Sequence, residues 1–173
     1  MEVTAQSRLK FTLERLATRS IGGLGRSWAG PKPRGDSTIA MIASNVGLDA
    51  QGREADFHPL SAKDAPIWLT LFATQSLHHG ERTIPVGIQD EITECLRTLG
   101  PDAKFFSKGI WQQTRRMKHY ELVCSESGWD RRRHQLLFQG NSEPLPPIDV
   151  IQDGGLIGFD DATAFIFWVE EDD

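Results

Sequence analysis

The chain has 173 residues, 39% hydrophobic and 25% charged, with a formal net charge of -5. That length and composition fit one ordinary globular domain that needs neither a disulfide framework nor a structural metal to hold a core. The longest apolar runs, residues 67–73 and 162–169, fall far short of the roughly 20 residues that a membrane-crossing helix requires, so no membrane partner is expected.

Charge is distributed unevenly. Residues 1–35 carry Arg8, Lys10, Arg15, Arg19, Arg26, Lys32 and Arg34 against Glu2 and Glu14, whereas residues 141–173 carry nine acids and no base. Oppositely charged ends either dock on one another or present two faces to different partners.

In chain order, Leu9, Leu13, Leu16 and Ala17 recur at helical spacing between Thr4 and Arg19, with Phe11 off the stripe. Residues 21–25 and 29–35 are rich in Gly and Pro and read as a linker. The Gly22-Gly23-x-Gly25 run lacks the following Gly-Lys-Ser/Thr of a phosphate loop. Residues 1–36 are thus expected to be a basic N-terminal helix and linker, and 37–173 a single α+β domain.

Thr38 to Val46 is expected as a strand, joined through an Asp49–Gly52 turn to a second strand ending at Phe57. A helix follows from Ser61 or Asp64, with Pro66 in its first turn and an end near Gly80. Ile88, Ile92, Cys95, Leu96 and Leu99 mark the clearest helix, stopped by Gly100-Pro101. Residues 101–109 suggest a short helical turn around Phe105 and Phe106. Residues 111–124 and 131–139 read as two strands, residues 141–147 as a Pro-rich crossing loop, and 148–151 and 156–159 as strands flanking a Gly154-Gly155 turn.

The stretch Ala162 to Glu171 is β-branched and aromatic without a Gly or Pro, the signature of a deeply buried strand around which the rest must assemble. The expected architecture is α+β, a mostly antiparallel sheet of hairpins with two or three helices packed on one face.

No stretch names a reaction, a cofactor or a metal. Cys95 and Cys124 show no Cys-x-x-Cys spacing, and without an apolar leader a reducing cytoplasmic setting is the simplest assignment. The leading functional expectation is a non-enzymatic protein-binding module, of the inhibitor or immunity type, meeting a basic protein partner through Asp160, Asp161, Glu170 and Glu171, with Phe165 and Trp168 as anchors. One alternative is nucleic-acid binding or processing by an Arg-rich hairpin, in which Arg115, Arg116, Lys118, Arg131, Arg132 and Arg133 hold phosphates and Tyr120 and Trp129 stack on bases. The net acidic chain weighs against it. A second alternative is an enzyme with a site around His119 and His134, facing across that hairpin. Asp160-Asp161 as a hard-cation site competes with a plain solvated turn. Oligomeric state is left open by the sequence.

Overall fold

The computed structural model describes residues 4–19, 24–78, 84–113, 136–140, 142–147 and 150–172. Among the described residues four α-helices, α1 (Ala5–Arg19), α2 (Thr38–Ser44), α3 (Ala65–Thr74) and α4 (Ile88–Leu96), accompany seven strands. These are β1 (Leu24–Pro31), β2 (Phe57–Leu60), β3 (Lys104–Lys108), β4 (Ile110–Gln113), β5 (Leu136–Gln139), β6 (Gln152–Phe159) and β7 (Thr163–Glu171). The main sheet runs β1-β7-β6-β3-β2 with every neighbour antiparallel, and β4 and β5 form a separate antiparallel pair. This is an α+β fold.

The apolar run at the far end of the sequence becomes β7, which is flanked by β1 and β6 and buried on both faces. Alternation along it separates two cores. Phe165, Phe167 and Val169 join Leu9, Leu13 and Leu16 of α1, Leu69 and Phe72 of α3, and Ile92 and Leu96 of α4. Ala164, Ile166 and Trp168 face the other way, onto Ala40, Ile42 and Ala43 of α2 together with Phe57 and Leu145. Three helices therefore cover one face, as expected, and α2 with its neighbouring segments covers the other.

Several local expectations are corrected. Residues 24–31 are not linker but the edge strand β1, paired along its whole length with β7 from Leu24–Glu170 to Pro31–Thr163. An edge strand uses only one side of its backbone, so Pro at its last position removes no ladder bond the fold needs. Gly30 fits because the Trp28 indole folds across it, where a Cβ would collide. Thr38–Ser44 is a helix rather than a strand. Ala40, Met41 and Ala43 are strong helix formers, and they outweigh the β-branched Ile39 and Ile42. Asn45 closes its end by donating from Nδ2 to the Met41 carbonyl at 2.9 Å.

Residues 104–108 are strand, not a helical turn. Phe105 enters the first core and Phe106 packs on the second, a period of two that a pair of adjacent aromatics conceals. Gly154-Gly155 does not turn the chain; both lie inside β6, opposite Val169 and Trp168. A Cβ on Gly154 would stand 2.7 Å from Cζ of Phe138 and 2.9 Å from Cε1 of Phe72, and one on Gly155 would stand 2.6 Å from Cε3 of Trp168. The glycines are there so that large rings can lie against the sheet.

Other expectations hold. Leu9, Leu13 and Leu16 are fully buried on α1. The Ser61 hydroxyl accepts from the Asp64 backbone N–H ahead of α3, whose first turn holds Pro66. Asp49 Oδ1 accepts from the Gln51 N–H, and Gly52 adopts φ +73° in the expected turn. The helix expected to run to Gly80 instead ends at Thr74, where Gln75 turns extended, and the Ser125–Trp129 connection lies outside the described residues.

Candidate functional site

Of the nine carboxylates of the acidic tail, Asp153, Glu170 and Glu171 are buried and each meets an internal partner. Asp153 is buried, with Oδ1 against the Nζ of fully buried Lys108 and Oδ2 accepting from the Leu145 N–H at 2.8 Å. The same ammonium lies 5.9 Å from the centroid of Trp168. Glu170, 3% exposed, is gripped by Arg26: Nε lies 3.0 Å from Oε1, and an NH2 donates to Oε2 at 3.3 Å. Arg26 also donates to the Val46 carbonyl at 2.9 Å. Burial raises the Glu170 carboxyl above its ordinary value; Arg26 pulls it down in part, while Asp153 and Asp172 push it up. Glu171 turns to the opposite face and accepts from the Ser76 hydroxyl and from the Leu77 N–H at 2.6 Å, just beyond α3.

Among the described residues one ion pair, Arg26–Glu170, joins the basic beginning of the chain to its acidic end. Basic β1 lies along acidic β7, and the Arg26–Glu170 pair bridges them. Phe165 and Trp168, expected as partner anchors, are both 0% exposed, so they anchor the cores rather than a second molecule. Of the expected partner-binding set, only Asp160 and Asp161 lie in a surface turn.

Asp160 organises that turn between β6 and β7. Its Oδ1 accepts from the N–H groups of Ala162 at 2.8 Å and Thr163 at 2.7 Å, and Oδ2 accepts from Gly100 N–H at 2.8 Å. Burial pushes this carboxyl up, but the backbone donors of Gly100, Thr163 and Ala162 outweigh it and hold the group below its ordinary value. All three donors are protein N–H groups, which makes Asp160 a turn-former rather than a cation ligand. Among the described residues no group of three or more His, Cys, Asp or Glu is placed to hold a metal.

The sign of the pH effect follows. A carboxyl whose folded value is depressed stabilises the fold above its unfolded value, and that contribution is lost as pH falls through the folded value. Asp160→Ala is therefore expected to lower stability by about 1–2 kcal/mol at neutral pH. The difference from the parent should shrink in acid, as checked by urea unfolding at several pH values.

The hairpin residues Arg115, Arg116, Lys118, Tyr120, Trp129, Arg131, Arg132 and Arg133, and both His119 and His134, lie outside the described residues, as does Cys124. What is described is the antiparallel pair on either side of them, with β4 and β5 paired from Ile110–Gln139 to Gln113–Leu136. Trp111 and Phe138 seat it on Phe72 of α3, with ring centroids 6.1 and 5.9 Å away. His58 is exposed on β2. Cys95 is buried, and desolvation raises its thiol despite the Thr12 hydrogen bond and the nearby Arg8 charge, which is the opposite of what a nucleophilic thiolate requires.

An open concavity lies elsewhere, between α3, α4 and the segment leading into β3. It has a volume of about 750 Å³. Leu96, Leu99 and Phe105 form a floor only 4–6% exposed, Pro66 and Ile67 form one wall, and Lys63 and Arg97 stand among its lining. Lys63 lies in the turn just ahead of α3, and Gln89 and Thr93 are one helical turn apart on the opposite wall. Sequence reasoning missed this site. The Ile88–Leu99 stripe is visible in the sequence, but the placement of α3 beside α4 is a tertiary fact that no stripe encodes.

No protein-family model matches the chain, and no curated protein and no solved structure is detectably similar to it.

Proposed function

We propose that the protein is a binding module for another protein, engaging its partner through the groove between α3 and α4. The observation that carries this reading is the groove itself, an open concavity with an apolar floor on a molecule whose sheet is otherwise covered on both faces. Interfaces of this kind combine a desolvated apolar centre with a polar rim, which Ile67, Leu96 and Phe105 with Lys63 and Arg97 supply. An inhibitor or immunity-type role is one form such a module takes, and a cytoplasmic setting suits its thiols.

The basic partner expected from the acidic tail has less to meet. Of the nine carboxylates, Glu143, Asp161 and Asp172 are exposed, Asp160 is tied into its turn, and Asp153, Glu170 and Glu171 are buried.

The test is affinity capture from the native source followed by cross-linking and mass spectrometry, run in parallel on the parent, on Ile67→Glu, and on Asp161→Lys with Asp172→Lys. A stoichiometric protein cross-linked to the α3–α4 walls and lost only with Ile67→Glu is the expected result. Loss only with the paired lysine variants would return the site to the acidic end and its basic partner. Recovery of nuclease-sensitive nucleic acid in place of a protein would move it to the Arg115–Arg133 hairpin.

A further inference from the structure

We infer that the occupant of the α3–α4 groove is an acidic amphipathic helix of a partner protein. The inference rests on the groove being the docking site and adds the chemistry of what docks.

Its first support is charge. The chain carries a net charge of -5, yet the residues lining the groove include two cations, Lys63 and Arg97, and no carboxylate. Lys63 makes no ion pair among the described residues, so its ammonium is available to an incoming anion. Arg97 pairs with Glu94 one turn back on α4, but both side chains are about two-thirds exposed, at 68% and 66%. An ion pair that exposed contributes little and can be exchanged for one with a partner carboxylate. The acids next to the lining in sequence, Asp64, Asp90, Glu94 and Asp102, are not part of it; Asp64 accepts from the Ser61 hydroxyl, and Asp160, which accepts from the lining Gly100 N–H, has both oxygens occupied by backbone N–H groups.

Its second support is shape. The α4 wall is a row of Gln89, Thr93, Leu96 and Arg97, spaced at helical intervals over about 12 Å, the length of roughly two helical turns. A groove with α4 along one side, the start of α3 on the other and apolar side chains as its floor accepts an amphipathic helix whose apolar residues recur at i, i+3, i+4 and i+7. The cations at the side then select carboxylates on its flanks and disfavour lysines.

The probes are three fluorescein-labelled peptides of about fourteen residues, roughly four turns if helical. They share one leucine pattern, with the remaining exposed positions all Glu, all Gln or all Lys. Fluorescence anisotropy is read against the full chain, the Lys63→Glu/Arg97→Glu variant and Ile67→Glu, each checked for native far-UV circular dichroism. The expected order on the parent is Glu over Gln over Lys, spanning about ten-fold or more and narrowing with added salt. The double variant should reverse that order, and Ile67→Glu should abolish binding of all three. Equal binding of the three peptides to the parent, or an order unchanged in the double variant, overturns the acidic occupant. If that binding is still lost with Ile67→Glu, the groove stands as a docking site. If none binds the parent, the inference and the docking site fall together.

Discussion

Replacing Asp153 by alanine is expected to lower stability by about 3–5 kcal/mol, because it strands the Lys108 ammonium in a site from which water is excluded. Lys108 and Asp153 are 0% and 1% exposed at the side chain, and the Leu145 N–H loses its acceptor in the same substitution. A domain of this size is stable by about 5–15 kcal/mol in total, so the variant is expected to sit near its unfolding threshold at ambient temperature. The pairing makes a second, sharper expectation. Lys108→Met combined with Asp153→Leu removes both charges and should recover most of the loss, since an apolar pair of similar size replaces a buried ion pair with little penalty. Urea midpoints with an unchanged slope would establish both results. If Asp153→Ala alone cost under about 1 kcal/mol, the pair would have to be solvated, contrary to its burial.

Removing residues 1–31 is expected to abolish the fold. Leu9, Leu13 and Leu16 are 0–1% exposed in the core that also holds α3, α4 and the inward face of β7. Losing three buried leucines, at about 2–5 kcal/mol each, already matches or exceeds a typical net stability. The deletion also strips β1 from β7, opening eight residues of ladder and leaving Glu170 buried without Arg26. Loss of the cooperative thermal transition, followed by circular dichroism, is the result to look for. A truncated chain with a sharp transition and native-like β signal would show that residues 1–31 are an appendage.

What was legible in the sequence was what depends on near neighbours. The α1 stripe, the Ile88–Leu96 helix, the Asp49–Gly52 turn and the depth of β7 all follow from spacing, caps and composition within a dozen residues. What was not legible depended on distant ones. Gly154-Gly155 resembles a turn until Trp168, Phe138 and Phe72 are known to lie against it. Residues 24–31 resemble a linker until β7 is known to need a partner on that side. The acidic tail resembles a binding surface because sequence shows how many carboxylates there are, but not that Asp153, Glu170 and Glu171 each meet an internal donor. The groove was not legible for the same reason: Lys63 and Ile67 stand at the start of α3 and Leu96 and Arg97 at the end of α4, two helices brought together only by the packing of the core.

The pairing of β1 with β7 also bears on how the molecule is reached from the unfolded chain. Arg26 and Glu170 are 144 residues apart in sequence, yet they sit side by side on adjacent strands. Closing so long a loop is entropically unfavourable before any contact offsets it, and topologies dominated by such separations fold in milliseconds to seconds rather than microseconds. During that search α1 can form early from its own sequence, while β1 waits beside it with an unpaired edge on either side until β7 arrives. The helix that begins the described chain and the β6–β7 hairpin that ends it are both local, and the pairing of β1 with β7 is the long-range step that makes the sheet whole.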